Sequence, residues 1–299
     1  MRKGKTRSFP KVRMAVLLSL VALLAVGCAS TTRSGIKSVG SPVVDTFVEK
    51  LMDSKSAELL KDGMAGNLIM LTGMAELAPE NRLGLQQCAM LYASYGMMVE
   101  DEDPEYAKVL YAIGKDYGLR ALKTNRAFRI GLAQGKKIPE LVDELGEEYA
   151  AAMCWTGLNI GLLILHQMED PMALMALPDS VSLIQKSVEY DPDYYHGVGK
   201  AYLGAYYAMV PEFLGLGGGP EASAKMFEEA RRITGGKFLM VDVFEARYLA
   251  TYMDDAEKFD RLLNRVMTTP NEVLPGGTAM NDLAKMKAKY YLSIKDQLF

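Results

Sequence analysis

After Pro42, apolar residues recur at steps of three and four along almost the whole chain, which is the spacing of one face of an α-helix. The pattern is clear at Leu110, Ile113, Tyr117 and Ala121. No segment alternates apolar and polar residues over the length of a strand. The sequence therefore predicts an all-α fold of roughly a dozen helices, each about 10 to 20 residues long.

Proline and glycine mark the expected helix ends. Asp-Pro pairs occur at Asp103–Pro104, Asp170–Pro171 and Asp191–Pro192. An aspartate before a helix can accept hydrogen bonds from free backbone N–H groups, and proline fits the first turn because no donor is needed there. Each pair is expected to open a helix or the turn before one. Further breaks are predicted at Gly215–Pro220 and Pro270–Gly277.

The C-terminal half contains a weak internal repeat, typical of helix-turn-helix units with a period of about 34 residues. The full tetratricopeptide consensus is missing, so a helical-repeat array and an irregular bundle both remain open at this point. The repeat relates Ala224, Phe227 and Glu228 to Phe259, Leu262 and Leu263.

The N-terminus resembles a bacterial lipoprotein signal. Six basic residues precede an apolar run that ends in Leu24-Ala25-Val26-Gly27-Cys28, and this run is too short to span a bilayer. We therefore expect a signal peptide at residues 1–27, lipidation and cleavage at Cys28, a tether at 28–41 and a helical domain at 42–299. The domain would lie on the periplasmic side of the envelope. The outer membrane is favoured because no acidic residue follows Cys28 directly.

The charge of the mature chain argues against binding to nucleic acid. The signal carries six of the 34 basic residues and none of the 37 acidic ones, which leaves 28 against 37 and a net charge of −9. A net-acidic body without a basic stripe repels a phosphate backbone. Cys88 and Cys154 lie in apolar helical contexts, so both are expected to be buried thiols and not a disulfide.

Small and aromatic residues predict an apolar cavity between two helices. Tyr195, Tyr202 and Tyr206 follow one helical face beside a row of small residues, and Trp155 and Asn159 share a face of the apolar segment 150–165. These side chains are candidate ligand contacts, although core packing explains the same pattern. Tyr117 and Arg120 are candidates for the head group of an acid, and a structural ion pair explains Arg120 equally well.

The sequence offers little for an enzyme. The chain has two histidines and no HExxH, metal-spaced cysteine pair or G-x-S-x-G motif. The acidic run Glu100–Asp103 is interpreted as a solvated turn. Gly215–Pro220 has no preceding strand and no following Lys-Ser/Thr, so it is interpreted as a helix-to-helix turn and not a phosphate cradle. We expect no catalytic residues, no metal and no cofactor.

Several segments together resemble the TatT component family of TRAP (tripartite ATP-independent periplasmic) transporters. The similarity covers most of Pro42 to Asp296. Its segments are Pro104–Leu122, Cys154–Thr156, Leu177–Pro178, Asp191–Tyr194, Leu214–Ala230 and Asp255–Phe259.

This resemblance implies an all-helical protein with degenerate tetratricopeptide-like repeats. It further implies an accessory that docks the periplasmic solute-binding subunit, self-associates, with a trimer as the expected state, and offers an apolar cavity to a hydrophobic organic acid or similar small molecule. The alternative is a helical-repeat envelope scaffold that mediates protein assembly without a small-molecule ligand. Recovery of a solute-binding protein would separate the two.

Overall fold

The computed structural model describes residues 56–210 and 217–299, together with Thr46, 49–51 and Ser54. The predicted signal peptide, the lipidation site at Cys28 and the tether lie outside the described residues. The same holds for residues 211–216, which include the start of the predicted break at Gly215.

The described chain is helical, with short 3-10 turns between several helices and no strand among its described residues. This confirms the predicted all-α class. The helices are α1 (Ala57–Leu77), α2 (Arg82–Val99), α3 (Pro104–Leu122), α4 (Arg126–Ala133), α5 (Ala150–Leu165), α6 (Pro171–Leu174), α7 (Leu177–Tyr190), α8 (Tyr194–Met209), α9 (Pro220–Ile233), α10 (Met240–Phe244), α11 (Ala256–Thr268) and α12 (Thr278–Ser293).

The Asp-Pro pairs act as predicted. The Asp103 carboxylate accepts a hydrogen bond from the Tyr106 backbone N–H at 2.9 Å, and Asp170 accepts one from Met172 at 2.9 Å. These contacts satisfy donors that have no partner inside the helix. Asp191 ends α7 and begins the short turn before α8.

Helices that follow one another in sequence pack together, consistent with a helical-repeat array. α2 packs on α3, α7 on α8, α8 on α9, and α11 on α12. The central element is α5, which contacts α2, α3, α7 and α8. The segment Glu147–Leu165 is long and apolar enough to cross a membrane, but 78% of its most apolar window is buried inside the fold. It is therefore a core helix of the fold.

The last helix returns to the first. The backbone N–H of Ala57 in α1 donates to Asp282 Oδ2 of α12 at 2.6 Å. The predicted repeat does not place all of its residues on buried helix faces, because Ala224 and Glu228 of α9 are exposed. The buried positions that correspond are Ser223, Phe227 and Ala230 in α9 and Phe259, Leu263 and Val266 in α11.

Glycines let the neighbours of α5 approach closely. A Cβ at Gly114 would collide with the Asn159 side chain, and one at Gly161 with the Tyr202 ring and hydroxyl. At Gly157 a Cβ would lie 2.5 Å from a side-chain carbon of Ile184 and 2.8 Å from a backbone oxygen of α7. Because backbone cannot move aside cheaply, this contact fixes the spacing between α5 and α7.

Two glycine substitutions test this packing. Gly157→Ala should lower the free energy of unfolding by about 1–3 kcal/mol, because the added methyl group overpacks the α5–α7 contact. Gly66→Ala is the matched control: Gly66 lies on an exposed face of α1 with nothing within 4 Å of the added carbon. It should raise stability by about 0.5–1 kcal/mol through helix propensity. Urea unfolding of both variants measures the difference, and equal effects would contradict the packing argument.

Candidate ligand-binding cavity

An apolar cavity of about 100 Å³ lies between α5 and α8. Gly161 of α5 and Ala205 of α8 both line this cavity, and the Tyr202 ring packs directly on Gly161. Tyr202 and Tyr206 line the cavity from α8. The other lining residues are apolar except for Tyr248, and include Leu158, Leu162, Ile164, Leu174, Leu177 and Phe244.

A larger polar chamber of about 690 Å³ adjoins the apolar cavity. The two spaces share four lining residues: Leu165, Met168, Met209 and Tyr248. The arrangement places an oily pocket next to a space with charged walls, which suits a molecule with one apolar and one polar end. The polar and aromatic residues of the chamber are Glu100, Asp101, His166, Arg247, Tyr248, Thr251, Tyr252, Tyr290 and Tyr291.

A network of buried charges forms one wall of the polar chamber. The Lys287 ammonium, whose side chain is 3% exposed, donates to Glu100 at 2.6 Å and to Asp101 at 2.8 Å. His166 Nε2 lies 3.0 Å from Glu100, and the Tyr111 hydroxyl donates to the same carboxylate. A buried charge is tolerated only when it is paired and hydrogen-bonded, and each of these groups is.

The network keeps its charges. Burial alone would raise the pKa of Glu100, but the Lys287 ammonium and the hydrogen bonds from His166 and Tyr111 outweigh it and lower the pKa to about 2. Burial would likewise lower the pKa of Lys287, but Glu100 and Asp101 raise it above its ordinary value. Both groups therefore remain ionised at neutral pH.

Arg247 faces the chamber from a π-helical segment, Glu245–Ala250, that continues α10. Such segments widen a helix and occur frequently at functional sites. The guanidinium lies 5.5 Å from the ring centre of Tyr248 and 5.8 Å from that of Tyr291. Within the described part of the chain, Arg247 forms no ion pair.

Two of the seven predicted ligand contacts line the apolar cavity. They are Tyr202, whose hydroxyl lies 2.7 Å from Ser180 Oγ, and Tyr206. Trp155 and Asn159 lie deeper in the core. The Trp155 indole N–H donates to the Tyr194 hydroxyl at 2.9 Å, and the Asn159 amide donates to the backbone oxygens of Ala89 and Trp155.

Tyr195 does not belong to the helical stripe that the sequence predicted. It has a φ of 43°, and the next two residues have φ values of 63° and 81°, so the chain turns left-handed before α8 becomes regular. The Tyr195 ring instead packs edge-on against Trp155 at 5.0 Å.

Tyr117 and Arg120 share one carboxylate. Arg120 makes a two-pronged ion pair with Glu76 at 2.6 and 3.1 Å, and the Tyr117 hydroxyl donates to Glu76 at 3.0 Å. Neither residue lines the apolar cavity or the polar chamber. The structural ion pair that sequence reasoning left open for Arg120 is thus the arrangement in the fold.

Sequence reasoning missed the polar chamber. The interpretation of Glu100–Asp103 as a solvated turn is wrong for Glu100 and Asp101, because Lys287 of the distant helix α12 pairs with both and their side chains are only 14% and 23% exposed. It holds for Asp103, which caps α3.

Both predicted free thiols are confirmed. Cys88 and Cys154 are buried and unbridged, and burial raises the pKa of each to about 12. A thiol with so high a pKa is a poor nucleophile. No group of three metal-ligating side chains comes together within the residues that the structure describes.

The Glu100 network predicts a specific acid sensitivity. A carboxylate whose pKa falls from 4.5 to about 2 on folding stabilises the fold above pH 4.5, and this contribution, on the order of 3 kcal/mol, is lost as the pH falls toward 2. Tyr111→Phe removes one donor to Glu100 and so raises the folded-state pKa of this carboxyl group. The loss should still begin near pH 4.5, but it should be smaller and should end at a higher pH than in the unmodified chain.

Denaturant unfolding at a series of pH values from 7 to 2 measures this shift. Tyr190→Phe is the matched control, because the Tyr190 hydroxyl donates to the neutral backbone oxygen of Leu145 and not to a carboxylate. It should lower stability by a similar amount at every pH. Identical pH profiles for the two variants would contradict the role assigned to Glu100.

Comparison with known proteins identifies the family. No curated relative matches the chain. The family model described as TRAP transporter T-component matches residues 54–299, which is most of the chain and includes all of α1 to α12. The expected resemblance is therefore confirmed, and the chain belongs to the T-component family of TRAP transporters, whose members are transport accessories and not enzymes.

Proposed function

We propose that this T-component docks the periplasmic solute-binding subunit of a TRAP transporter and takes up a hydrophobic organic-acid-like ligand. The observation that carries the proposal is the apolar cavity between α5 and α8, which adjoins the polar chamber through Leu165, Met168, Met209 and Tyr248. A ligand could place its hydrocarbon part in the first space and its polar part in the second.

Beside these two spaces lies an exposed methionine surface, which consists of Met168, Met172, Met175 and Met209. Met168 is 52% exposed, Met209 38% and Tyr252 51%, and all three also line the polar chamber. Met172 and Met175, at 71% and 66%, lie on either side of the cavity-lining Leu174. Exposed apolar patches mark interaction sites, and methionine adapts to a partner's shape. A subunit docked on this surface would release its solute directly at the cavity.

The site of action follows from the N-terminal signal. In the proposal, Cys28 carries the lipid anchor and the helical domain faces the periplasm, with the inner leaflet of the outer membrane favoured. The protein acts as a homo-oligomer, with a trimer as the expected state. A scaffold without a ligand is the competing proposal, and it would retrieve assembly factors in place of a solute-binding protein.

Co-purification tests the docking surface. The tagged full-length chain should retrieve a periplasmic solute-binding protein, identified by mass spectrometry. Met172→Glu combined with Met175→Glu should reduce the recovery at least about tenfold, because two charges would be buried against an apolar partner.

Met267→Glu is the matched control. Met267 is also exposed, at 37%, but it lies on α11 and lines neither the cavity nor the chamber. Its recovery should equal that of the unmodified chain. Failure of the unmodified chain to retrieve any solute-binding protein would count against the proposed function, and equal losses in both variants would count against the methionine surface.

A further inference from the structure

We infer that the polar chamber is a monocarboxylate site in which Arg247 binds the acid group, while the aliphatic chain of the same ligand lies in the apolar cavity. This inference rests on the proposed function and narrows it. It assigns the head group to Arg247 and not to Arg120, and it sets the charge of the ligand at one.

The positive charge of Arg247 has no carboxylate partner in the described part of the chain. Lys287 does not line the chamber, and its charge is already neutralised by the lining residues Glu100 and Asp101. Arg120, the predicted acid-binding residue, is neutralised by Glu76. Arg247 forms no ion pair among the described residues, and its guanidinium lies beside the rings of Tyr248 and Tyr291. A guanidinium presents parallel N–H donors that match the two oxygens of a carboxylate.

The tyrosines around Arg247 offer additional hydrogen-bond donors to an anion. Tyr248, Tyr252, Tyr290 and Tyr291 line the chamber, and none of their hydroxyls has a hydrogen-bond partner among the described residues. Burial raises the pKa of Tyr248 and of Tyr291, so both keep their protons at physiological pH. An O–H group beside an arginine completes the coordination of an anion, since a carboxylate has sites for about four donors.

The carboxylates of the chamber limit the negative charge that a ligand can carry. Glu100 and Asp101 line the same chamber, and the low pKa of Glu100 keeps its carboxylate ionised. A second negative charge on the ligand would meet no unpaired cation in the described wall and would face these two carboxylates. Like charges on the ligand and on this wall repel one another. The chamber therefore favours a monoanion over a dicarboxylate or a phosphate monoester.

The apolar cavity lies beside the chamber, where it can receive the chain of an acid bound at Arg247. The shared wall formed by Leu165, Met168 and Met209 is apolar, so an acid held at Arg247 can direct its chain along this wall. The cavity beyond offers mainly hydrocarbon contacts, which stabilise a chain in proportion to the area removed from water. A ligand with a carboxylate at both ends would bury its second charge there.

Binding of three probes of equal chain length tests the inference. Decanoate, decanol and sebacate, the dicarboxylate, would be titrated into the full-length lipidated chain in nanodiscs, with empty nanodiscs subtracted. Decanoate should bind at least about tenfold more tightly than sebacate. Arg247→Gln should weaken decanoate binding about tenfold or more, the range for a hydrogen bond between charged groups, and leave decanol within about twofold.

Two further variants separate the role of Arg247 from that of the apolar cavity. Arg126→Gln removes an exposed cation at the start of α4 and should change neither affinity. Ala205→Phe fills the apolar cavity and should weaken decanoate and decanol together, with unchanged helical circular dichroism. This loss would support the cavity of the proposed function on its own.

Each of the other outcomes contradicts one part of the inference or of the proposed function. Unchanged decanoate binding in Arg247→Gln overturns the assignment of the head group, and equal affinities for decanoate and sebacate overturn the limit on charge. In both cases the proposed function stands if Ala205→Phe still weakens binding. If neither decanoate nor decanol binds the unmodified chain, the inference and the ligand part of the proposed function both fail, while docking is judged separately by co-purification.

Discussion

The buried ion pairs of Lys287 connect the last helix of this fold to its first half. Lys287 lies on α12, whereas Glu100 and Asp101 directly follow α2, almost 190 residues earlier in the chain. Removal of one partner would leave an uncompensated buried charge, which typically costs about 3–5 kcal/mol. The polar chamber depends on this connection because its walls come from both ends of the chain. It also helps to fix Tyr290 and Tyr291 of α12 relative to His166, which directly follows α5.

The central helix α5 provides the second constraint. It is apolar on nearly every side, so neighbours must cover it all round, and its glycines determine how closely they approach. The Trp155 ring and indole N–H hold the left-handed turn at the start of α8, where Tyr195 and His196 adopt positive φ angles. Such backbone costs on the order of 1–3 kcal/mol per residue and persists only when packing over-determines it. The turn sets where the regular part of α8 begins, and it thereby determines which residues of α8 face the cavity.

Local features of this fold were predictable from sequence, and the candidate site was predictable only in part. The helical class follows from the spacing of apolar residues, and the caps at Asp103 and Asp170 follow from the Asp-Pro pairs. Tyr202 and Tyr206 were found because they lie on one regular helix. Tyr195 was misplaced in that stripe because a left-handed turn interrupts the period, and nothing in the periodicity signals it.

The polar chamber escaped prediction for a physical reason. Its charged residues come from segments far apart in sequence, and Glu100 looks the same in a solvated turn as it does beside a buried lysine. Arg247 lies in a π-helical segment, and its spacing relative to Tyr248 and Tyr291 depends on that irregular turn. Long-range pairing and a single wide turn leave no local signature, so such groups become visible only when the fold brings them together.

Photo-crosslinking tests the central claim, that the space between α5 and α8 holds the hydrocarbon part of a ligand. A decanoate analogue with a diazirine near its methyl end would be irradiated with the full-length chain in nanodiscs, and the labelled peptides would be mapped by mass spectrometry. We predict labels on the residues that line the apolar cavity, chiefly Leu162 of α5 and Ala205 and Met209 of α8. Labels confined to the exposed apolar face of α1, at Leu59, Ile69 and Leu77, would contradict the account.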